Sequence, residues 1–112
     1  MAQTPEGKVK DACKQYLKSI GAWFFMPVSN GMGQVGIPDI ICCYKGIFIA
    51  VETKAPGKRS QTTANQDRVI GAIKEADGWA IVVDNVEQLE QFVLAIKAYY
   101  RLENENAEIY PS

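Results

Sequence analysis

Two short apolar runs separated by a lysine and a glycine constrain this chain more than any other feature. Residues 37–43 and 47–51 are rich in Ile, Val, Phe and Cys, side chains that pack well on a pleated surface, and Tyr44-Lys45-Gly46 connects them. The pattern predicts two strands of a β-hairpin. With Lys45-Gly46 as a two-residue turn, paired positions sum to 91, so Asp39 stands opposite Glu52 on one face of the sheet and Lys54 follows on that face.

Two opposed carboxylates, with Cβ atoms about 5 Å apart, repel unless a cation or a proton lies between them. A divalent metal fits that gap. Mg²⁺ uses one or two carboxylates, substrate phosphate oxygens and water, so Asp39, Glu52 and a backbone carbonyl such as that of Thr53 are a sufficient protein contribution. Lys54 then faces the metal-bound water and offsets charge in a phosphorane-like transition state, which is the chemistry of phosphodiester hydrolysis. The plainer alternative is a salt-bridged, half-solvated strand end. It is the usual meaning of an isolated acid-x-Lys tripeptide, but it leaves the Pro38-Asp39 entry to the partner strand unexplained.

The charge distribution bears on the partner. The chain of 112 residues has a net charge of only −1. Residues 1–74 nevertheless hold ten Lys and Arg against five Asp and Glu, a balance of +5, and residues 75–112 hold two against eight, a balance of −6. The half with the acid pair is therefore the basic one. Lys58, Arg59 and Arg68 are candidates for phosphate contacts, followed by Lys8, Lys10, Lys14 and Lys18 of the first helix, for which a solvated helix face is the plainer explanation.

Along the chain, Thr4 and Pro5 suit an N-cap and first helical position, and Val9, Cys13, Tyr16 and Ile20 recur at helical spacing until Gly21. Glu6 lies at the edge of that apolar face and points toward the sheet, although a first-turn Glu also suits the helix dipole. Residues 22–29 predict a strand, buried or paired across a dimer, because Trp23-Phe24-Phe25-Met26 is too continuous for a solvated edge. The next loop, through Gly36, satisfies G-x-G-x-x-G, but Pro38 and a strand follow where a dinucleotide site requires a helix, so no nucleotide cofactor is expected. Ser29 and Asn30 of that loop are placed to touch a nucleic-acid backbone. After a loop over 55–60, Thr62 or Thr63 caps a helix reaching about Ala76, with Gln66 one turn in. Residues 79–83 predict the last strand and 86–101 the last helix, whose broad apolar face around Phe92, Ile96 and Tyr99 is expected to form a dimer interface. Residues 103–112 are acidic and predict a loose tail after a single domain over 1–102.

The order αβββαβα implies an α/β fold with a mixed sheet flanked by helices. From Thr4 to Val83 the chain resembles the PD-(D/E)XK nuclease superfamily, and within it the VRR-NUC group related to Holliday junction resolvases. The resemblance rests on Glu6 in the first helix, Gly36-Ile37-Pro38-Asp39, Glu52-Thr53-Lys54, and Thr63-Ala64-Asn65-Gln66 opening the second helix. It implies a restriction-endonuclease-like core and a Mg²⁺- or Mn²⁺-dependent endonuclease. Asp39 and Glu52 would bind metal, Lys54 would position the nucleophile, and Glu6 and Gln66 would complete the site. It further implies branched DNA such as a Holliday junction, cut by a symmetric homodimer in a bacterial or phage setting. A DNA-binding or assembly module of the same fold, and an endonuclease acting on structured RNA, are the alternatives.

Composition narrows the chemistry. With no histidine, a His general base or a zinc site built on imidazole is excluded. Three cysteines, two of them adjacent in a predicted strand, suit reduced packed thiols better than a disulfide framework. No run approaches the roughly 20 apolar residues of a membrane span and the start carries no signal-peptide pattern, so a cytoplasmic location is expected.

Overall fold

The computed structural model describes residues 3–28 and 35–103. Its elements follow the expected order: α1 (Pro5–Ser19), β1 (Trp23–Phe25), β2 (Ile40–Tyr44), β3 (Ile47–Thr53), α2 (Ala64–Glu75), β4 (Trp79–Val83) and α3 (Val86–Glu103). The four strands form one mixed sheet in the order β1-β2-β3-β4, antiparallel except for the parallel β3–β4 pair made by the α2 crossover.

The hairpin register runs from Ile40 opposite Val51 to Tyr44 opposite Ile47, the register that a Lys45-Gly46 turn demands. Both turn residues have positive φ, 52° and 82°, as a type I′ turn requires. Strand β2 starts at Ile40 and not at Ile37. Pro38 offers no N–H to a ladder, and Asp39 gives its side chain to Thr53, so the segment before Ile40 serves the site and not the sheet.

Alternation along the strands creates two unequal faces. Ile40, Cys42, Tyr44, Ile47, Ile49, Val51 and Val83 join Val9, Cys13 and Leu17 of α1 and Leu89, Val93 and Ile96 of α3 in the main core. On the opposite face Ala50 and Ala80 pack with Ile70 of α2, flanked by Ile41, Ile73 and Val82. The thiols are all free, and burial pushes those of Cys13 and Cys42 up to about 11, which leaves them inert packing groups.

The structure narrows two expectations about apolar surface. Of the three residues placed above at a dimer interface on the last helix, Ile96 is fully buried and Phe92 packs against the same core, while Tyr99 is 49% exposed, so α3 gives most of that face to its own sheet. The first strand is shorter than expected and, of the two alternatives given for it, is not buried within its own chain: β1 is an edge strand, with Trp23 65% and Phe25 46% exposed. The physical reason is coverage. Helix α2 sits over the β3–β4 side of the second face, and among the described residues no helix packs on the β1–β2 side of that same face.

Candidate active site

The site forms where the C-terminal end of β3 meets the entry to β2 and the start of α2. Glu52 and Thr53 are its buried polar residues, at 4% and 0% exposure. Glu52 lies on the α2 face, where Gln66 Nε2 donates to its Oε2 at 3.0 Å and Lys54 Nζ lies 3.5 Å from the same oxygen. Its other oxygen, Oε1, is buried with no hydrogen-bond partner. A buried carboxylate oxygen left bare normally costs stability, and a cation site is one explanation for its persistence.

Asp39 completes the cluster from the entry to β2. Its Oδ2 accepts from the Thr53 backbone N–H at 3.0 Å and from the Thr53 hydroxyl at 2.7 Å, while Lys10 Nζ of α1 lies 3.6 Å from Oδ1. Thr53 therefore orients an acid with both of its donors, a role that sequence reasoning missed when it assigned only the Thr53 carbonyl. Lys10 was taken for a solvated helix face and instead reaches the acid.

Gln66 is positioned by local chain chemistry. Thr63 caps α2: its Oγ1 accepts from Gln66 N–H at 3.1 Å, and the Thr63 backbone N–H donates to Gln66 Oε1 at 3.0 Å. The same Oε1 accepts from Lys54 Nζ at 3.1 Å. One amide thus satisfies a helix end, holds the lysine and holds Glu52. The Thr-x-x-Gln spacing of a capping box was the signal available in the sequence. Gly36 brings this helix start against the segment leading to Asp39. Its φ is 89°, and a Cβ there would lie 2.5 Å from the Asn65 backbone, so only glycine allows the approach.

Burial, reinforced by the Asp39 charge, raises the Glu52 carboxyl from 4.5 to about 7, against the opposing pull of the Lys54 ammonium and the Asp39 backbone amide. The folded state thus holds the proton more tightly than the unfolded chain does. Stability without metal is expected to be fully present below about pH 4.5 and to decline by about 3 kcal/mol as pH rises through about 7. Glu52→Gln removes this penalty, so denaturant titrations in chelator should show the variant more stable than the parent at pH 8 and not at pH 4. An equal difference at both pH values would mean that Glu52 ionises freely in the fold.

The remaining predicted residues lie around this cluster. Glu6 is half-buried on α1, and among the described residues no group of three or more His, Cys, Asp or Glu gathers to hold a metal, so Glu6 is not drawn into the Asp39–Glu52 pair. Lys58 and Arg59 are exposed on the loop before α2. Arg59 Nε donates to the Val82 carbonyl at 2.7 Å and Gly57 N–H to Asp84 Oδ2 at 2.9 Å, which ties that loop to β4. Arg68 is exposed and donates to Asn65 Oδ1 at 3.3 Å. Ser29 and Asn30 lie outside the described residues. A cavity of about 660 Å³ opens at the opposite end of β4 among Trp79, Phe92, Tyr99 and Tyr100, remote from the acids.

A solved structure described as a VRR_NUC domain superposes on 81% of this chain with a TM-score of 0.66, and the match covers 96% of that domain at 22% sequence identity. The fold is that of a VRR_NUC domain. No family model matches the chain, and no curated protein sequence matches it. The likeness is thus carried by the mixed sheet and its flanking helices. Within this VRR_NUC fold, Glu52, Lys54 and Gln66 form one hydrogen-bonded and ion-paired set, and Asp39, held by Thr53 and Lys10, lies close enough for its charge to act on Glu52.

Proposed function

We propose that this protein is a metal-dependent endonuclease hydrolysing DNA phosphodiester bonds, acting on branched DNA such as a four-way junction through a two-fold dimer. The observation that carries the reading is the unpartnered Glu52 Oε1, buried beside Asp39 and Lys54 at the end of the sheet. Its environment suits a hard cation. The donors are carboxylate oxygens with no histidine in the chain, the ligand set of Mg²⁺ or Mn²⁺ and not of zinc. Asp39 and Glu52 would hold the ion, with the Thr53 carbonyl as a third donor. Lys10 would yield Asp39 Oδ1, since its 3.6 Å ion pair ends a flexible stem. When bound, Mg²⁺ supplies Lewis acidity toward a phosphate oxygen and makes water a better nucleophile.

The chain's own residues do the rest. Thr53 fixes the Asp39 carboxylate, Gln66 fixes Glu52, and Gln66 also holds the Lys54 ammonium beside them. An ammonium held in place at a poorly solvated site stabilises negative charge developing on a phosphoryl group without reorganising for it. All of the acid and lysine positions needed for this chemistry are filled, which disfavours a purely DNA-binding module. Incubation of four-way junction, flap, linear duplex and structured RNA with Mg²⁺ or with chelator tests the reading. Metal-dependent incision, greatest on the junction, is expected; incision confined to RNA would transfer the same site to the alternative substrate.

Substrate binding is assigned to the basic half of the chain. Replacing Lys58 and Arg59 together by Ala should weaken affinity similarly across DNA sequences and flatten the salt dependence by about one to two units of slope. Arg59→Ala also loses the Val82 anchor, so its melting curve is the necessary control. An unchanged slope in titrations across salt concentrations would move the DNA path to Lys8, Lys14 and Lys18 of α1.

A further inference from the structure

The acid pair meets two ammonium groups, and they are held differently. Lys54 Nζ lies 3.5 Å from Glu52 Oε2 and donates to Gln66 Oε1 at 3.1 Å, with its side chain 13% exposed. Lys10 Nζ lies 3.6 Å from Asp39 Oδ1 with its side chain 33% exposed, and among the described residues Asp39 is its one charged partner. Lys10 reaches the site from α1, which packs on the main core face, whereas Lys54 is tied to α2 on the other face.

A divalent cation between Asp39 and Glu52 changes this balance. With both acids ionised, as a bound cation requires, the four groups carry two negative and two positive charges and sum to zero. Two further positive charges at close range must expel an ammonium or be rejected. Lys54 is clamped by Gln66, which Thr63 fixes in turn through the helix cap. Lys10 has no such clamp. A partly solvated ion pair of this kind contributes little, and the long stem lets the head group swing while the helix stays in place.

We infer that Lys10 is a metal-displaced phosphate contact: it neutralises Asp39 in the metal-free protein, and a cation entering the site releases its ammonium to a phosphate of the bound DNA. The inference rests on the metal-dependent nuclease reading and adds to it a residue that couples metal binding to substrate binding. The freed head group stays within a side chain's reach of Asp39, and so of a phosphate whose oxygen the same cation holds. One ammonium would then flank that phosphate from each side, fixed on the α2 side and movable on the α1 side. The plainer role, a tether of α1 to the entry of β2, predicts that loss of Lys10 weakens folding and leaves metal binding alone.

Two titrations on the full chain test this, neither of them a cleavage assay. In calorimetry with Mn²⁺ and no DNA, Lys10→Met keeps the apolar stem, removes the competing charge and should bind the ion at least about fivefold more tightly than the parent. Lys14→Met, one turn further along α1 where Lys14 pairs with Asp11, should stay within about twofold of the parent. In anisotropy titrations of an intact four-way junction across salt concentrations, Lys10→Met should flatten the slope of log affinity against log salt by about one unit in Ca²⁺ and leave it unchanged in chelator. Lys10→Gln repeats both measurements should the melting curve of Lys10→Met show a poorly folded protein.

Mn²⁺ binding equal to or weaker than the parent's makes Lys10 a tether of α1 and overturns the inference. So does a slope flattened equally with and without Ca²⁺, the mark of a permanent phosphate contact. Tighter Mn²⁺ binding with an unchanged slope in Ca²⁺ overturns it too, since the freed ammonium would then go elsewhere, as to Glu6 four residues earlier on α1. A parent that binds no Mn²⁺ removes the metal site itself. A parent that binds it, with Lys10→Met behaving alike, removes the Lys10 role and leaves the nuclease reading standing.

Discussion

Asp39→Asn and Glu52→Gln are each expected to lower single-turnover strand cleavage by about a thousandfold or more, while the protein remains folded and still binds DNA. Either substitution removes one negative charge from the carboxylate pair of the site and preserves most of the surrounding hydrogen bonds. An Asn at 39 still offers a carbonyl oxygen to the Thr53 N–H and hydroxyl, which both donate to one Asp39 oxygen. A Gln at 52 still offers a carbonyl oxygen to Gln66 Nε2 and turns the unpartnered Oε1 into a neutral amide position. The loss is therefore one of cation binding and charge, with the scaffold intact. Melting curves that match the parent or exceed it, together with unchanged DNA affinity in chelator, complete the expected result. Cleavage within tenfold of the parent in both variants would remove the pair from the reaction.

How much of this was legible in the sequence depends on the range of the interactions. The hairpin register from Ile40 to Ile47 was legible because it is local: a two-residue turn with glycine and the two-residue period of a strand leave one alignment, whereas Asp39, expected opposite Glu52, lies just outside the ladder and turns its carboxylate to Thr53 and Lys10. The helix boundaries at Thr4 and Thr63 were legible for the same reason, since capping is decided within one turn. The apolar surfaces were not. Whether Trp23 or Ile96 is buried depends on which strands α2 and α3 cover, and a hydrophobic run reads alike whether it meets its own core or a partner. Lys10 was missed because its head group reaches Asp39 across the tertiary fold, and nothing in the α1 pattern distinguishes it from Lys14, which pairs with Asp11 on the same helix. The Thr53 side chain was missed for another reason: strand alternation assigns it to the core face, and only the bend at Asp39 lets that carboxylate reach it.

Lys54→Ala is expected to slow cleavage at saturating Mg²⁺ by about a hundredfold or more, with a smaller effect on metal affinity. The geometry allows two roles. The ammonium lies 3.5 Å from Glu52 Oε2 and opposes the rise of the Glu52 pKa, so its loss alone would leave more of the acid protonated at neutral pH. It is also fixed by Gln66 Oε1 at 3.1 Å, in the position of a preorganised donor to the reacting phosphate. The pH profile separates these roles. If Lys54 only keeps Glu52 ionised, the variant's rate recovers toward that of the parent as pH rises, because higher pH ionises the acid without the lysine. If it stabilises the transition state, the deficit persists at pH 9, where Glu52 is ionised in both proteins. We expect persistence, because Gln66 spends its one carbonyl oxygen on both the helix cap and this lysine, a constraint that charge balance with Glu52 alone does not require. Full recovery at high pH, or a collapse of metal affinity with an unchanged rate at saturation, would reassign Lys54 from the reacting phosphate to the upkeep of Glu52.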